Sequence, residues 1–172
     1  DVNMQAWNWL ETMCGGKRGV RDADPSGLGD WDSYAAIHEF PIEEYEKAKS
    51  EILVEGYCDT AIVTLSRTAA EGSALSMDLD GDGSTVNGTT YLELDDNERN
   101  LMKFCKENFK HTIVLLNTSS AMEIGFLDSE EYNVEACLWI GHPGDAGLVG
   151  VGKLITGAVN PSGRLVDTWA RS

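Results

Sequence analysis

The sequence predicts an α/β fold, a mostly parallel sheet with helices on both faces, and two observations carry that expectation. Three short apolar runs, residues 60–65, 111–117 and 135–140, read as strands hydrophobic enough to be buried on both sides. Helical patterns separate them, and strands alternating with helices imply crossover connections and therefore a parallel sheet.

Taken in order, Met4, Trp7 and Leu10 stand at helical spacing, enough for a short amphipathic helix over residues 1–10. Residues 15–32 mix glycine, proline and both charges without a period and read as loop. Residues 33–40 predict a short strand closed by Pro41, and Ile42, Tyr45, Ala48 and Ile52 then mark one face of a helix ending before Gly56. The strand at 60–65 runs into a small-residue loop that carries Glu71 and Gly72, followed by a polar insertion at 78–90. Asp95 and Glu98 have the spacing of a capping box, and Leu101, Phe104, Cys105 and Phe109 form the buried stripe of the helix they start. After the second strand come a short helix at 120–126, the third strand, and a glycine-rich helix at 146–155.

At 172 residues the chain suits one domain with a core of its own. A net charge of -16 argues against nucleic acid or an anionic membrane as partner, because both would repel it. No apolar run approaches a membrane span, and no signal-peptide pattern opens the sequence. Cys14, Cys58, Cys105 and Cys137 form no CxxC and lie away from histidines at metal-ligand spacing, so zinc is not expected. Cys105 and Cys137 read as small buried hydrophobes. Reduced thiols in a cytoplasmic setting are the preferred reading, with a secreted setting left open.

Three constellations invite a functional reading. Asp78, Asp80, Asp82 and Gly83 match the opening of a calcium loop, but the twelfth position is Thr89 where a bidentate glutamate belongs. A solvated acidic insertion is the better reading. The glycines at 141, 144, 147, 150 and 152 follow a strand, yet GHPGDAG is no dinucleotide fingerprint and no P-loop lysine follows. Close helix packing explains them without a cofactor. His38, His111 and His142 are scattered, with no nucleophile elbow beside them. Neither metal nor cofactor is expected. Glu71 differs in kind, because a carboxylate just past a strand's carboxyl end stands where open α/β sheets place ligand chemistry. Composition alone would still make it a solvated loop acid.

The segments TAIVTLSRTAAEGS, YLELDDNERNLMKFCKENFKHTIVLLNTSS, ACLWIGHPGDAG and NPSGRLVDTWA together resemble the carboxyl-terminal α/β-sandwich domain of family 3 glycoside hydrolases, over residues 37–170. The block at Asn160, Pro161, Ser162, Gly163, Arg164 and Leu165 is the most specific of them. The resemblance implies a retaining β-glycosidase, a β-glucosidase above all, in which one carboxylate forms a glycosyl-enzyme and a second serves as acid/base. It implies a nucleophilic aspartate on a separate (β/α)-barrel and an acid/base glutamate in a motif like SR-x-x-GEG-x-D. Carried over, that glutamate is Glu71, with Arg67 as a substrate-site residue that positions the loop or biases the pKa of its acid. A plain surface arginine is the competing reading of Arg67.

Two departures stand out. Ala70 replaces the first glycine of GEG, and Ala74 replaces the aspartate, which puts loop anchoring or sugar contacts through that aspartate in doubt. The barrel and the sandwich's first strand have no counterpart here, so residues 1–172 are expected to be a single, incomplete sandwich domain. The implied partners are a β-glucoside or short β-linked oligosaccharide and the barrel of the same enzyme, and the isolated chain is expected to be nearly inactive. The alternative is a non-catalytic carbohydrate-binding or assembly module on the same fold. A weaker third reading is a calcium-responsive module through Asp78, Asp80 and Asp82.

Overall fold

The computed structural model describes residues 1–14, 20–21, 37–67, 90 and 92–171. Its elements are α1 (Met4–Met13), β1 (Val20–Arg21), β2 (Ile37–His38), α2 (Ile42–Lys47), α3 (Lys49–Ile52), β3 (Thr60–Arg67), α4 (Asp96–Asn108), β4 (His111–Thr118), a 3-10 turn (Gly125–Asp128), β5 (Val134–Trp139) and α5 (Gly144–Ile155). Strands β3, β4 and β5 form one parallel sheet in that order, while β1 and β2 make a separate antiparallel pair. The α/β class predicted from the sequence holds.

The helix α4 forms where its cap requires. The Asp95 side chain accepts from the Glu98 backbone N–H, and the Glu98 carboxylate accepts from the Asp95 N–H, so two otherwise orphaned donors are satisfied at once. One face of α4 then buries Leu101, Met102, Phe104 and Cys105 against Ala61, Val63 and Leu65 of β3 and Val114 and Leu116 of β4. Full burial of side chains of this size contributes roughly 1.5–3 kcal/mol each. The amino-terminal helix joins the same core less deeply, through Trp9, which meets Tyr45 edge-on at 5.2 Å between ring centroids. Asn3 fixes its start twice over: its side-chain oxygen caps Gln5 and Ala6, and its Nδ2 donates to the carbonyls of Glu51 and Ile52.

Four local expectations change. The helix expected from Ile42 to Ile52 is two, α2 and α3, broken at Ala48, although Tyr45 and Ala48 on its apolar face stay buried. Spacing reads the face of a helix and not the continuity of its hydrogen-bond ladder. The expected helix at 120–126 is a 3-10 turn begun at Gly125, because the amides of Ile124 and Gly125 are spent on the carbonyls of Ala170 and Arg171. Of the strand expected at 33–40, residues 37–40 are described, and only Ile37–His38 (β2) are strand. Finally, continuous burial belongs to the central strand, where Val114, Leu115 and Leu116 are all buried. Among the described residues β3 and β5 are edges: Ile62 is half exposed and Cys137 is exposed rather than buried.

Candidate active site

In a parallel sheet the carboxyl ends of the strands lie together, and that edge is where such folds bind ligands. Here it brings together Ser66 and Arg67 of β3, Asn117 and Thr118 of β4, and Trp139 of β5, with Arg67 in register with Thr118. Arg67 is the last residue of its strand and is 4% exposed, which excludes the surface-arginine reading. Burying a guanidinium is costly unless its donors are matched. Arg67 meets that requirement with a two-point contact to Glu98, Nη1 to Oε1 at 2.6 Å and Nη2 to Oε2 at 2.7 Å. Nη2 also donates to the Glu93 carbonyl at 2.6 Å, and Nη1 to the Ser66 carbonyl at 2.8 Å. A planar fork against a carboxylate is the geometry for which arginine, and not lysine, is suited.

Glu98 therefore has two roles at one point: it closes the capping box of α4 and neutralises Arg67. From the sequence it reads as a cap alone. Its partnership across 31 residues is a tertiary fact with no local signal, although a charged residue at the end of an apolar strand is a hint that a buried partner exists.

The rest of the edge is polar and well tied. The Trp139 indole N–H donates to the Thr118 carbonyl at 2.9 Å, the Thr118 hydroxyl donates to the Ser120 carbonyl at 2.5 Å, and Trp139 meets Trp169 edge-on at 5.9 Å. Asn117 Oδ1 and Ser120 Oγ are buried without a hydrogen-bond partner among the described residues. Glu71 lies outside the described residues, as do Asp78, Asp80 and Asp82. His111 is exposed, pairs through Nδ1 with Glu135 and stands at the amino end of β4, away from this edge, and His142 is exposed in the segment after β5. No group of three or more potential metal ligands occurs among the described residues.

A concavity of about 740 Å³ runs along β3 from Trp7, Tyr57 and Ile62 to Ser66 and Glu98. Its inner wall holds Glu39, whose carboxylate accepts from the Tyr45 hydroxyl at 2.5 Å and from the Phe40 N–H at 2.8 Å. Burial raises the Glu39 pKa above the usual carboxylate range, against those hydrogen bonds, and burial also pushes the Cys105 thiol up to about 12. Glu39 and Cys105 are spent on hydrogen bonding and packing within this wall.

Residues 21–172 match the model of the glycosyl hydrolase family 3 C-terminal domain. The chain belongs to glycoside hydrolase family 3. A β-glucosidase of Ruminococcus albus is 33% identical over 112 residues, 65% of this chain and 11% of that protein. A β-glucosidase of Schizophyllum commune is 34% identical over 114 residues, 66% of this chain and 56% of that protein. Among solved structures, a β-glucosidase from Paenibacillus barengoltzii superposes on all of this chain with a TM-score of 0.71 at 22% identity, over 17% of its own length. That likeness concerns the fold. The chain spans between 11% and 15% of the length of relatives such as those from Ruminococcus albus and Butyrivibrio fibrisolvens. Within the family 3 domain, then, the described part of the candidate site is the Arg67 end of β3 and the elements it grips.

Proposed function

We propose that this chain is the acid/base-bearing domain, a single α/β sandwich, of a retaining β-glycosidase, a β-glucosidase that hydrolyses terminal β-D-glucosyl O-glycosidic bonds. Glu71 protonates the departing glycosidic oxygen in the first step and, as carboxylate, takes a proton from water in the second. The nucleophile is an aspartate on a (β/α)-barrel of the same enzyme, and the substrate is a β-glucoside or a short β-linked oligosaccharide. The observation that carries the reading is family membership joined to the position of Arg67. The strand that leads into the Ser66-Arg67 motif ends at the carboxyl edge of the sheet, four positions before Glu71.

One carboxylate without its partner cannot run a double displacement. The 172-residue chain by itself is therefore expected to show no turnover of an aryl β-glucoside. The decisive test uses the gene product that carries this chain, comparing wild type with Glu71→Ala on phenyl β-D-glucoside. Loss of the acid/base lowers kcat/KM by roughly 10²–10⁴-fold. On 2,4-dinitrophenyl β-D-glucoside, whose leaving phenol needs no protonation, azide, which needs no general base, then accelerates the variant and gives β-glucosyl azide. Wild-type rates from Glu71→Ala would overturn the assignment. Sugar binding that survives with no hydrolysis in the wild type would favour a non-catalytic carbohydrate-binding module.

A further inference from the structure

The buried pair Arg67–Glu98 joins two points that are distant in sequence and adjacent in space: the end of β3 and the start of α4. The polypeptide between Arg67 and Leu92 leaves from the first and returns to the second, and it contains Glu71. Both ends are fastened at the same guanidinium. On the departing side Arg67 is itself the anchor, held by Glu98 through two bonds. On the returning side its Nη2 grips the Glu93 carbonyl, the Glu93 carboxylate accepts from the Thr90 N–H at 2.9 Å, and the Leu92 carbonyl accepts from the Glu123 N–H at 2.8 Å. Glu98 in turn cannot rotate away, because its Oε2 also accepts from the Asp95 N–H.

We infer that Glu98 is a positioning residue: acting through Arg67 and the Glu93 carbonyl, it fixes the separation and orientation of the two chain ends that carry Glu71, and so sets where that carboxyl stands. Glu98 is buried and its carboxylate is taken up by Arg67 and the start of α4. The inference rests on Glu71 being the acid/base. Its force comes from geometry, since misplacing a catalytic group by about 1 Å can cost on the order of 10²-fold in rate. A two-point ion pair inside the fold resists such a shift better than a single hydrogen bond, because it fixes direction as well as distance.

Leaving-group dependence separates positioning from stability. Phenyl β-D-glucoside needs its departing oxygen protonated, whereas 2,4-dinitrophenyl β-D-glucoside, with an acidic leaving phenol, does not. The gene product carrying this chain would be assayed on both, with rates normalised to active enzyme by trapping the glycosyl-enzyme. Glu71→Ala is the reference and should lower kcat/KM for the phenyl substrate about 100-fold more than for the dinitrophenyl one. Glu98→Gln should show the same selectivity at about tenfold. Glu98→Asp, which keeps the charge while shortening its reach, should show a smaller selective loss, and it decides the matter if Glu98→Gln does not fold. Equal losses on both substrates in the Glu98 variants, or none, would overturn the positioning role. No selectivity from Glu71→Ala would instead overturn the acid/base assignment on which it rests.

Discussion

Helix α4 is rich in charge, DNERNLMKFCKEN, yet buries Leu101, Met102, Phe104 and Cys105 together with Glu98. Helix α5 is the more apolar of the two, GDAGLVGVGKLI, yet only Val151 is buried among its described residues, with Leu148 54% and Val149 66% exposed. The strands beside them differ in the same way. β3 alternates, with Ala61, Val63, Leu65 and Arg67 turned inward, whereas β5 leaves Ala136, Cys137 and Trp139 exposed. Within these residues, total hydrophobicity thus does not decide which helix is buried. What distinguishes the α4 side is a defined apolar stripe, a complete cap at its start and a buried charge that has found its partner.

That contrast can be broken most severely at the ion pair. Arg67→Ala would leave the Glu98 carboxylate buried with its main partner gone, at a cost of about 3–5 kcal/mol in urea denaturation. Replacing both residues together, Arg67→Met with Glu98→Leu, should cost less than Arg67→Ala. The opposite order would mean that the pair is not what secures this half.

Core packing gives the next largest effect. Met102 is 0% exposed, so Met102→Ala should cost about 2–5 kcal/mol. Val149→Ala, on the exposed face of α5, should change stability by less than about 0.5 kcal/mol. Comparable values for the two would erase the distinction between the halves.

Glu39 supplies the smallest and most specific test. Its folded-state pKa is raised above the ordinary carboxylate value by burial, so between those two values the folded state holds more protons than the unfolded one. Stability from this group is therefore complete below the unfolded pKa and declines as pH rises through the folded one. Glu39→Gln, which keeps an acceptor for Tyr45, should flatten that decline in denaturation midpoints measured from pH 4 upward. An unchanged slope would show that the raised pKa is not expressed in stability.

Much of this was legible in the sequence, and the reason is that it was local. The capping box of Asp95 and Glu98, the three strands and most of the apolar stripe of α4 follow from spacing within a few residues. Phe109, expected in that stripe, is instead the half-buried C-cap, and Met102 takes a place in it. Missed features depend on distant chain. The break at Ala48 does not disturb the burial pattern that predicts the helix, and the turn at Gly125 is decided by backbone bonds to the chain's last residues. Exposure of Cys137 means that its face of β5 is left uncovered among the described residues, which no run of apolar letters can reveal. At the candidate site, Glu71 stands out by its place after a strand and Arg67 through the family resemblance, whereas Glu98 is invisible as a site residue because its carboxylate serves the cap as well.

The link between Gly125 and the end of the chain divides tolerance to mutation unevenly. The amides of Ile124 and Gly125 hold Ala170 and Arg171 by their carbonyls, which every amino acid possesses, so this contact leaves the identity at 170 free to drift, while the Arg171 side chain also pairs with Asp128 at the surface. Gly125 is not free to drift, because a Cβ there would stand 2.2 Å from the Arg171 carbonyl oxygen. A saturation library across these positions should record near-neutral substitutions at 170 and intolerance at a glycine more than forty residues earlier, which is a backbone contact written into a fitness profile.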